Sequence, residues 1–336
     1  MNKSIRFLLR NPKFITTFYQ FRYILIIKDI ISFKINNIES TKKRKEVLLR
    51  KESAVLNCND LVLLFKQLGL GKNILIHSGL GRFNKLKNKD KTLFESLKLY
   101  KYNNLLIPYF PKKTIYFNNI TISDYINRKS GLGNFVEYIN KNIENKLKSI
   151  HLSHTTIAIG KEKEFLVGTH HKSLTPFDQN SPFYKALLLN FDVLLIGVDL
   201  NSLTPIHIYE DILGENLFLP LYSKKYLKAS IHQGDKIYTT YTKIRHRSYI
   251  IRDVELLRSV FIKKGAMKVV KYDNYELISI NIRKMTFIAL EELISGNSIY
   301  GRLNLKNIQL KEDIIDTINK IKNDILEFEN ECAKQS

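Results

Sequence analysis

The chain has 336 residues, 44% of them hydrophobic, and a formal net charge of +22. This length allows one large domain or two modest ones with a sizeable buried core. The two cysteines, Cys58 and Cys332, exclude a disulfide framework and a cysteine-based metal site. We expect both to be reduced thiols of a cytosolic protein.

The strong positive charge has two interpretations that the sequence leaves open. It indicates an anionic partner, such as an acidic membrane leaflet or an anionic small molecule, or it reflects AT-rich codons in a chain full of Lys, Asn and Ile. Nucleic acid is disfavoured, because the only dense basic block is residues 42–45 and no nucleic-acid-binding motif is present.

Residues 1–50 differ from the rest and are predicted to form a basic, aromatic-rich N-terminal extension. They contain twelve Lys or Arg and three acidic residues. Their longest uncharged run, Phe14 to Phe21, has eight residues, which is too short to span a bilayer, and no small-residue cleavage site follows it. The segment suits a basic amphipathic helix on an acidic membrane surface, or a helical extension packed on the body or on a second subunit.

Helical and strand patterns alternate from residue 55 to about residue 215. Asn57 begins the first helix, whose apolar run ends before Gly69. A short apolar strand, Asn73 to His77, then leads into a glycine loop. Further helices are predicted at 93–99, 133–147, 161–167 and 182–189, and further buried strands at 104–110, 154–159 and 192–198. Alternation of helices with buried strands predicts an α/β sandwich with a largely parallel sheet.

The pattern changes after about residue 215. Residues 237–251 alternate in the way that solvent-facing antiparallel strands do. A helix at 254–263, strands at 267–271 and 275–280, and helices at 283–295 and 309–333 follow. The C-terminal half is therefore predicted to contain a mixed, partly antiparallel sheet region. After the extension, the chain divides into a main domain over residues 51–305 and a C-terminal helix over residues 306–336.

His207 and Glu210 are candidate site residues, because they lie three apart just inside a helix that follows a buried strand. This spacing puts imidazole and carboxylate on one helix face, where the carboxylate can orient the ring for general-base work. A surface pair gives the same pattern, but ligands of α/β sheets bind outside the carboxyl ends of the strands. Thr204 is predicted to be the N-cap of this helix and Pro205 its first residue.

His170 and His171 lie in a predicted loop before Ser181, where adjacent histidines are usually solvated or bonded locally. A set of His171, His207 and Glu210 would match the two-His, one-Glu ligands of some catalytic zinc sites. No familiar zinc spacing is present, and no metal is expected.

The loop from Ser78 to Arg82 has the composition of a phosphate-binding turn. Backbone N–H groups at Gly79 and Gly81 could hold a pyrophosphate, and Arg82 adds positive charge. The loop is neither a Walker loop nor the dinucleotide fingerprint, and a simple turn is an equal interpretation. The Gly-x-Ser-x-Gly nucleophile elbow of serine hydrolases does not occur in the chain.

Taken in order, five segments resemble the aminoglycoside 3-N-acetyltransferase family. They are Leu68 to Leu80, Leu105 to Phe110, Ser130 to Glu137, Ser149 to Gly160, and a block formed by His171, Ser181-Pro182, Val193 to Val198 and Thr204-x-x-His207-x-x-Glu210. The last block agrees most closely in order and spacing. The chain departs from the family at 88–91, where the family has Gly-Gly-Ala, and at Lys148 and Leu152, where the family has Arg and Pro.

The resemblance implies a three-layer α/β sandwich that transfers an acetyl group from acetyl-CoA, or another acyl group from its acyl-CoA, directly to an amine. Main-domain residues 51–305 would then be the acyltransferase domain. Carried over, the predicted catalytic residues are His171, His207, Glu210 and Thr204. The predicted coenzyme contacts are His77, Ser78, Gly79, Leu80, Arg82 and Ser149.

The acceptor in the family name conflicts with the charge, because aminoglycosides are polycations that a chain of net charge +22 repels at long range. We therefore expect a nucleotide- or lipid-linked amino sugar of surface polysaccharide synthesis, such as capsule or O-antigen. The chain would act in the cytoplasm, with residues 1–50 at the inner membrane face. An aminoglycoside-resistance enzyme is the alternative, and a non-catalytic binding module that keeps the fold is a second. A homodimer is left open.

Overall fold

The computed structural model describes residues 56–83, 86–112, 120–122, 129–217, 221–233, 235–245, 252–272, 275–302 and 308–335. The predicted N-terminal extension and its membrane-surface helix lie outside these residues and stay predictions. The domain division at residues 51 and 305 also stays a prediction.

The described strands are β1 (Asn73–Ser78), β2 (Asn104–Pro108), β3 (Ile120–Ile122), β4 (Leu147–Lys148), β5 (Thr156–Gly160), β6 (Asp192–Ile196), β7 (Tyr222–Gln233), β8 (Lys236–Arg245), β9 (Met267–Tyr272), β10 (Tyr275–Asn281), β11 (Asn297–Ser298) and β12 (Gly301–Arg302). Seven of them form a central sheet in the order β4-β5-β2-β1-β6-β10-β9. β1 lies between β2 and β6 and is parallel to both. The mixed α/β architecture expected from the sequence is confirmed.

The antiparallel part of the sheet is larger than predicted. β10 and β9 are antiparallel on one side, as expected for the C-terminal half. On the other side β5 is antiparallel to β2, with Thr156 opposite Pro108. β5 begins beside the residue at which β2 ends, so that the two strands run in opposite directions. A parallel pair would require the chain to cross back to the other end of β2 before β5 begins. A largely parallel sheet is therefore wrong outside the three central strands.

A separate three-stranded sheet has the order β3-β7-β8, with β7 and β8 paired as a long antiparallel hairpin. β8 confirms the antiparallel pattern that the sequence predicts from residue 237. Its partner β7 was not predicted, and residues 246–251 of the prediction lie outside the described part. One face of the hairpin is buried through Leu227, Ala229 and Ile231, which pack on Ile150 and Leu152.

The described helices are α1 (Cys58–Gln67), α2 (Lys89–Tyr100), α3 (Asn134–Asn142), α4 (Lys163–Val167), α5 (Pro182–Leu188), α6 (Ile208–Leu213), α7 (Arg258–Lys263), α8 (Ile282–Ile294) and α9 (Ile308–Gln335). Asn57 caps α1 in a reciprocal capping box with Asp60, which confirms the predicted start. α3 ends at Asn142 rather than 147, because Leu147 pairs with Ala158 in the sheet. Among the described helices, none is both long and apolar enough to cross a membrane.

Each face of the central sheet carries its own hydrophobic core. Side chains alternate along β6, so that Val193 and Leu195 enter one core and Leu194 and Ile196 enter the other. The first core also contains residues of α5, α6, α8 and α9, and the second contains residues of α1, α2 and α3. A sheet between two helical layers is the three-layer sandwich predicted from the resemblance.

Candidate active site

The carboxyl ends of β1 and β6 lie side by side, because the two strands are parallel neighbours in register. The loops that leave them touch through backbone atoms at Gly79 and Gly197. A Cβ on Gly79 would lie 2.7 Å from the Gly197 carbonyl oxygen, and a Cβ on Gly197 would lie 2.6 Å from the Gly79 carbonyl oxygen. Close backbone contact therefore requires glycine at both positions, whether or not the loop also meets a phosphate.

Replacement of Gly197 by alanine is expected to lower the free energy of unfolding by about 2–4 kcal/mol. Gly197 has φ +69°, a left-handed conformation that side chains disfavour, and the new methyl group would also meet the Gly79 backbone. Urea unfolding followed by circular dichroism measures the change. Gly81→Ala in the neighbouring loop, which follows β1, is the matched control, since a Cβ there meets nothing within 4 Å. Equal losses in both variants would contradict the packing argument.

A cleft of about 260 Å³ opens at this edge of the sheet and is lined by His77, Ser78, Asn201, Ser202 and Thr204, among others. The Ser78 Oγ and His77 Nε2 atoms are buried and have no hydrogen-bond partner among the described residues. Burial lowers the pKa of His77 to about 3, so its ring is neutral. The cleft thus brings together three of the predicted site residues and contains polar atoms that a ligand can satisfy.

Two other predicted coenzyme contacts, Leu80 and Arg82, are not among the described residues that line the cleft. The side chain of Leu80 is buried in the core beneath α1 and α2, so only its backbone faces the loop. Residues Leu80 to Arg82 form one turn of 3₁₀-helix. The Arg82 side chain lies outside the described part of the structure, and its contact with the coenzyme stays a prediction.

His207 and Glu210 form the closest pair of predicted catalytic groups. The His207 Nδ1 atom lies 2.8 Å from Glu210 Oε2. The Glu210 side chain is fully buried, whereas 19% of the His207 side chain is exposed. An accepting carboxylate at Nδ1 places the ring proton on that nitrogen and leaves Nε2 as the proton acceptor. The pair therefore has the geometry of an oriented general base.

Two residues that no sequence pattern predicts also contact Glu210. The Tyr300 hydroxyl donates a hydrogen bond to Glu210 Oε1, and Arg252 Nε lies 3.6 Å from the same oxygen. Tyr300 is 90 residues from Glu210 in the chain. No local spacing signals such a contact, which depends on the packing of the short strands β11 and β12 near α6.

Thr204 occupies a different place in its helix from the one predicted. The turn begins as a 3₁₀-helix at Thr204–His207, with Leu203 at the cap position and without a capping side chain, and α6 starts at Ile208. Thr204 is therefore the first residue of this 3₁₀-helix rather than its N-cap, and Pro205 is the second residue of the 3₁₀-helix rather than the first. The early tight turn places Thr204 in the cleft.

His171 lies on a separate 3₁₀ turn, His170–Lys172. Its half-buried ring contacts Tyr238 of the β7–β8 hairpin, with the ring centroids 5.0 Å apart. Burial, and then the neighbouring Lys172, lower its pKa below the usual range. A neutral His171 can accept a proton, and its catalytic role stays a prediction.

Ser149 is buried beside a group of histidines and is not among the residues that line the cleft. Its hydroxyl accepts from the Thr156 N–H at 2.8 Å and lies 2.8 Å from His170 Nδ1. His170 stacks on His151 with ring centroids 4.6 Å apart. The predicted contact of Ser149 with the coenzyme stays a prediction. His151 and His170 were not predicted as site residues, since neither has a partner at a recognisable spacing.

His154 lies closer to the site than the sequence suggests. Its ring contacts Phe110, which lines the cleft, and Phe177, whose ring also contacts His207. Within the described ranges, no group of three or more His, Cys, Asp or Glu side chains could hold a metal ion.

Comparison with solved structures finds the same fold in aminoglycoside acetyltransferases. AAC-IIIb in a binary complex with coenzyme A matches with a TM-score of 0.60 and 15% identity over 72% of this chain and 97% of its own. The AAC(3)-IVa apoenzyme matches with 0.59 and 17% identity over 80% and 100%. Sisomicin-bound AAC-VIa matches with 0.58 and 16% identity over 71% and 98%. A search of curated proteins finds no match.

The family model for aminoglycoside 3-N-acetyltransferases matches residues 75–293, which is more than half of the 336 residues. The matched region contains the cleft and the His207–Glu210 pair. The chain therefore belongs to the aminoglycoside 3-N-acetyltransferase family and is an acyl-CoA-dependent N-acetyltransferase with acetyl-CoA as its co-substrate.

Proposed function

We propose that His207 is the base that removes the proton from the acceptor amine during direct transfer of the acetyl group. The observation that carries this proposal is the 2.8 Å contact between His207 Nδ1 and the buried Glu210 carboxylate. Glu210 holds the Nδ1–H tautomer, so the lone pair of Nε2 is available to the amine. As the C–N bond forms, Nε2 takes the amine proton, and Glu210 stabilises the resulting imidazolium. The C–S bond of the thioester then breaks, and the coenzyme A sulfur leaves as a thiol after it takes the proton back from the imidazolium.

Acetyl-CoA would enter the cleft at the ends of β1 and β6. The residues there fit a thioester, because the buried Ser78 hydroxyl has no partner among the described residues and can donate to a carbonyl oxygen. The neutral His77 ring is a second polar group at the same strand end. Fixed donors of this kind stabilise the negative charge that develops on the thioester oxygen. We propose Gly79, Leu80, Arg82 and Ser149 as further coenzyme contacts.

We propose an aminoglycoside as the first candidate acceptor. The family description supports this acceptor, and the solved structure of AAC-VIa contains sisomicin. Acetyl transfer needs only an amine within reach of His207. The proposed chemistry is therefore the same for any acceptor that presents an amine there.

An anionic amino sugar, nucleotide- or lipid-linked, is the second candidate, as in the synthesis of a surface polysaccharide. Residues 221–245, which contain the β7–β8 hairpin, carry six Lys or Arg and one acidic residue. The hairpin contacts one of the predicted catalytic residues, because the Tyr238 ring packs on His171. A basic surface there favours an anionic acceptor over a polycation. Cytoplasmic action, membrane contact through residues 1–50 and a homodimer belong to the same proposal.

A direct competition between acceptors decides between the two candidates. Purified chain with acetyl-CoA is assayed by thiol release against gentamicin, sisomicin, and nucleotide-linked amino sugars that carry a free amine. Activity on the aminoglycosides supports the first candidate, and activity confined to the nucleotide-linked sugars supports the second. A higher KM for the preferred acceptor in a Lys228→Glu, Lys243→Glu variant would indicate an anionic acceptor, and a lower one a cationic acceptor.

A further inference from the structure

The side chain of Glu210 is fully buried, and each of its two carboxyl oxygens has its own contacts. Its Oε2 atom meets His207, whereas its Oε1 atom receives the Tyr300 hydroxyl and lies 3.6 Å from Arg252 Nε. A buried carboxylate is costly unless hydrogen bonds and positive charge compensate it. The Tyr300 hydroxyl and the Arg252 charge on the Oε1 side are therefore part of what holds the carboxylate in place.

Backbone hydrogen bonds fix Tyr300 and Arg252 next to each other. The turn between β11 and β12 presents Tyr300, whose N–H donates to the Ser298 hydroxyl at 3.1 Å. The N–H of Asp253, next to Arg252, donates to the Ile299 carbonyl at 2.7 Å. Arg252 Nε also donates to the Tyr300 hydroxyl at 3.4 Å. The two side chains thus reach Glu210 as a pair.

We propose that Tyr300 and Arg252 are positioning residues for acetyl transfer, which act on His207 through Glu210. The proposal rests on the proposed role of His207 as the base. The Tyr300 hydrogen bond and the nearby positive charge of Arg252, both on the Oε1 side, fix the rotation of the carboxylate, so that Oε2 stays directed at His207 Nδ1. That contact in turn sets the tautomer and the direction of Nε2. Misorientation of a base by a fraction of an ångström lowers the rate without altering the groups that bind substrate.

A purely structural role makes a different prediction from a positioning role. If the pair only stabilises a buried charge, its removal lowers the free energy of unfolding and leaves the turnover of the folded protein unchanged. If it positions His207, removal alters the histidine tautomer and kcat in folded protein. Tyr300→Phe separates the two, because it keeps the buried ring and removes only the hydroxyl donor.

The first readout needs no acceptor. Long-range ¹⁵N–¹H spectra of the histidine side chains in the full chain assign His207 by its absence in His207→Ala. We expect His207 to be the Nδ1–H tautomer in the unsubstituted chain, and Tyr300→Phe and Arg252→Met to shift population to the Nε2–H tautomer. Arg252→Lys, which keeps the charge, should restore part of the original spectrum. An unchanged His207 signal in both Tyr300→Phe and Arg252→Met would overturn the proposal.

The second readout is steady-state kinetics with acetyl-CoA and the acceptor that the competition identifies. Loss of a hydrogen bond to a charged group in Tyr300→Phe should lower kcat about 10- to 100-fold and leave the KM for acetyl-CoA unchanged within about twofold. Tyr184→Phe is the matched control, because Tyr184 is also buried and also donates to a carboxylate, that of Asp324. Its kcat should not change. Equal kcat losses in the two variants would indicate general damage.

Failure of this inference is distinguishable from failure of the proposed function. If His207→Ala retains activity, His207 is not the base, and the proposed function fails first. If His207→Ala is inactive and Tyr300→Phe keeps both its kcat and its histidine tautomer, the base is correct and the positioning role alone is wrong. In a Glu210→Gln background, Tyr300→Phe should have no further effect on kcat, since the two act through one contact.

Discussion

Replacement of His207 by alanine is expected to lower kcat by about 10²- to 10⁴-fold, the usual contribution of a general base. The KM for acetyl-CoA should change little, because the proposed coenzyme contacts lie at Ser78 and its neighbours in the cleft. Removal of the imidazole leaves the amine without an acceptor for its proton, whereas the glycine contact that shapes the cleft persists. Thiol release from acetyl-CoA under saturating acceptor measures the loss.

The variants Glu210→Gln and His171→Ala test whether His207, rather than His171, is the base. Glu210→Gln removes the charge that holds the Nδ1–H tautomer and should lower kcat by a smaller factor than His207→Ala. His171→Ala tests the other predicted histidine, whose ring rests on Tyr238. A large loss in His171→Ala with none in His207→Ala would reassign the base. Full activity in all three variants would show that this constellation does not catalyse the reaction.

Acidification below pH 6.5 is expected to destabilise the protein steeply, because it contains neutral histidines whose protonation is opposed by burial. Burial lowers the pKa of His77 and His151 from 6.5 to about 3 in each case. Burial, and then the neighbouring His151, His154 and Lys185, lower the pKa of His170 well below 6.5. Between about pH 6 and 3 the unfolded chain binds protons that the folded chain excludes. Each such histidine then removes about 1.4 kcal/mol of stability per pH unit.

The sign of this effect distinguishes the histidines from the buried carboxylic acids. Burial raises the pKa of Asp178, so that its folded form takes up a proton first and opposes acid unfolding. The loss between pH 6 and 5 therefore belongs to histidine. Urea midpoints at half-unit steps measure the slope, and His151→Gln should flatten it, provided that the variant folds at pH 7.5. A constant midpoint from pH 7 to 5 would be incompatible with neutral buried histidines.

The parts of the fold that were predicted correctly depend on local contacts. The start of α1 follows from Asn57 and Asp60, which cap each other across three residues. The strand β6 is a continuous apolar run, because both its faces are buried. The spacing of His207 and Glu210 puts their side chains on one helical turn, and the 2.8 Å contact between them is the consequence.

The parts that were wrong depend on how distant segments pack. Nothing in the sequence of β5 tells its direction relative to β2, because a buried apolar strand has the same pattern in parallel and antiparallel pairs. Leu147 continues the apolar spacing of α3 yet belongs to β4. Thr204 has the composition of a cap, but Leu203 occupies the cap position. In each case one side chain suits two local structures, and the sheet selects between them.

The sequence by itself determined the family, through five short segments taken in order along the chain. It also determined the alternation of helices with buried strands and the His207–Glu210 pair, because these depend on residues within a few positions of one another. Only the tertiary structure decided the mixed order of the sheet and the close contact of Gly79 with Gly197. It alone also joined Tyr300 and Arg252 to Glu210. Contacts between residues tens of positions apart leave no periodic pattern, since they are selected by the packing of whole layers rather than by local backbone geometry.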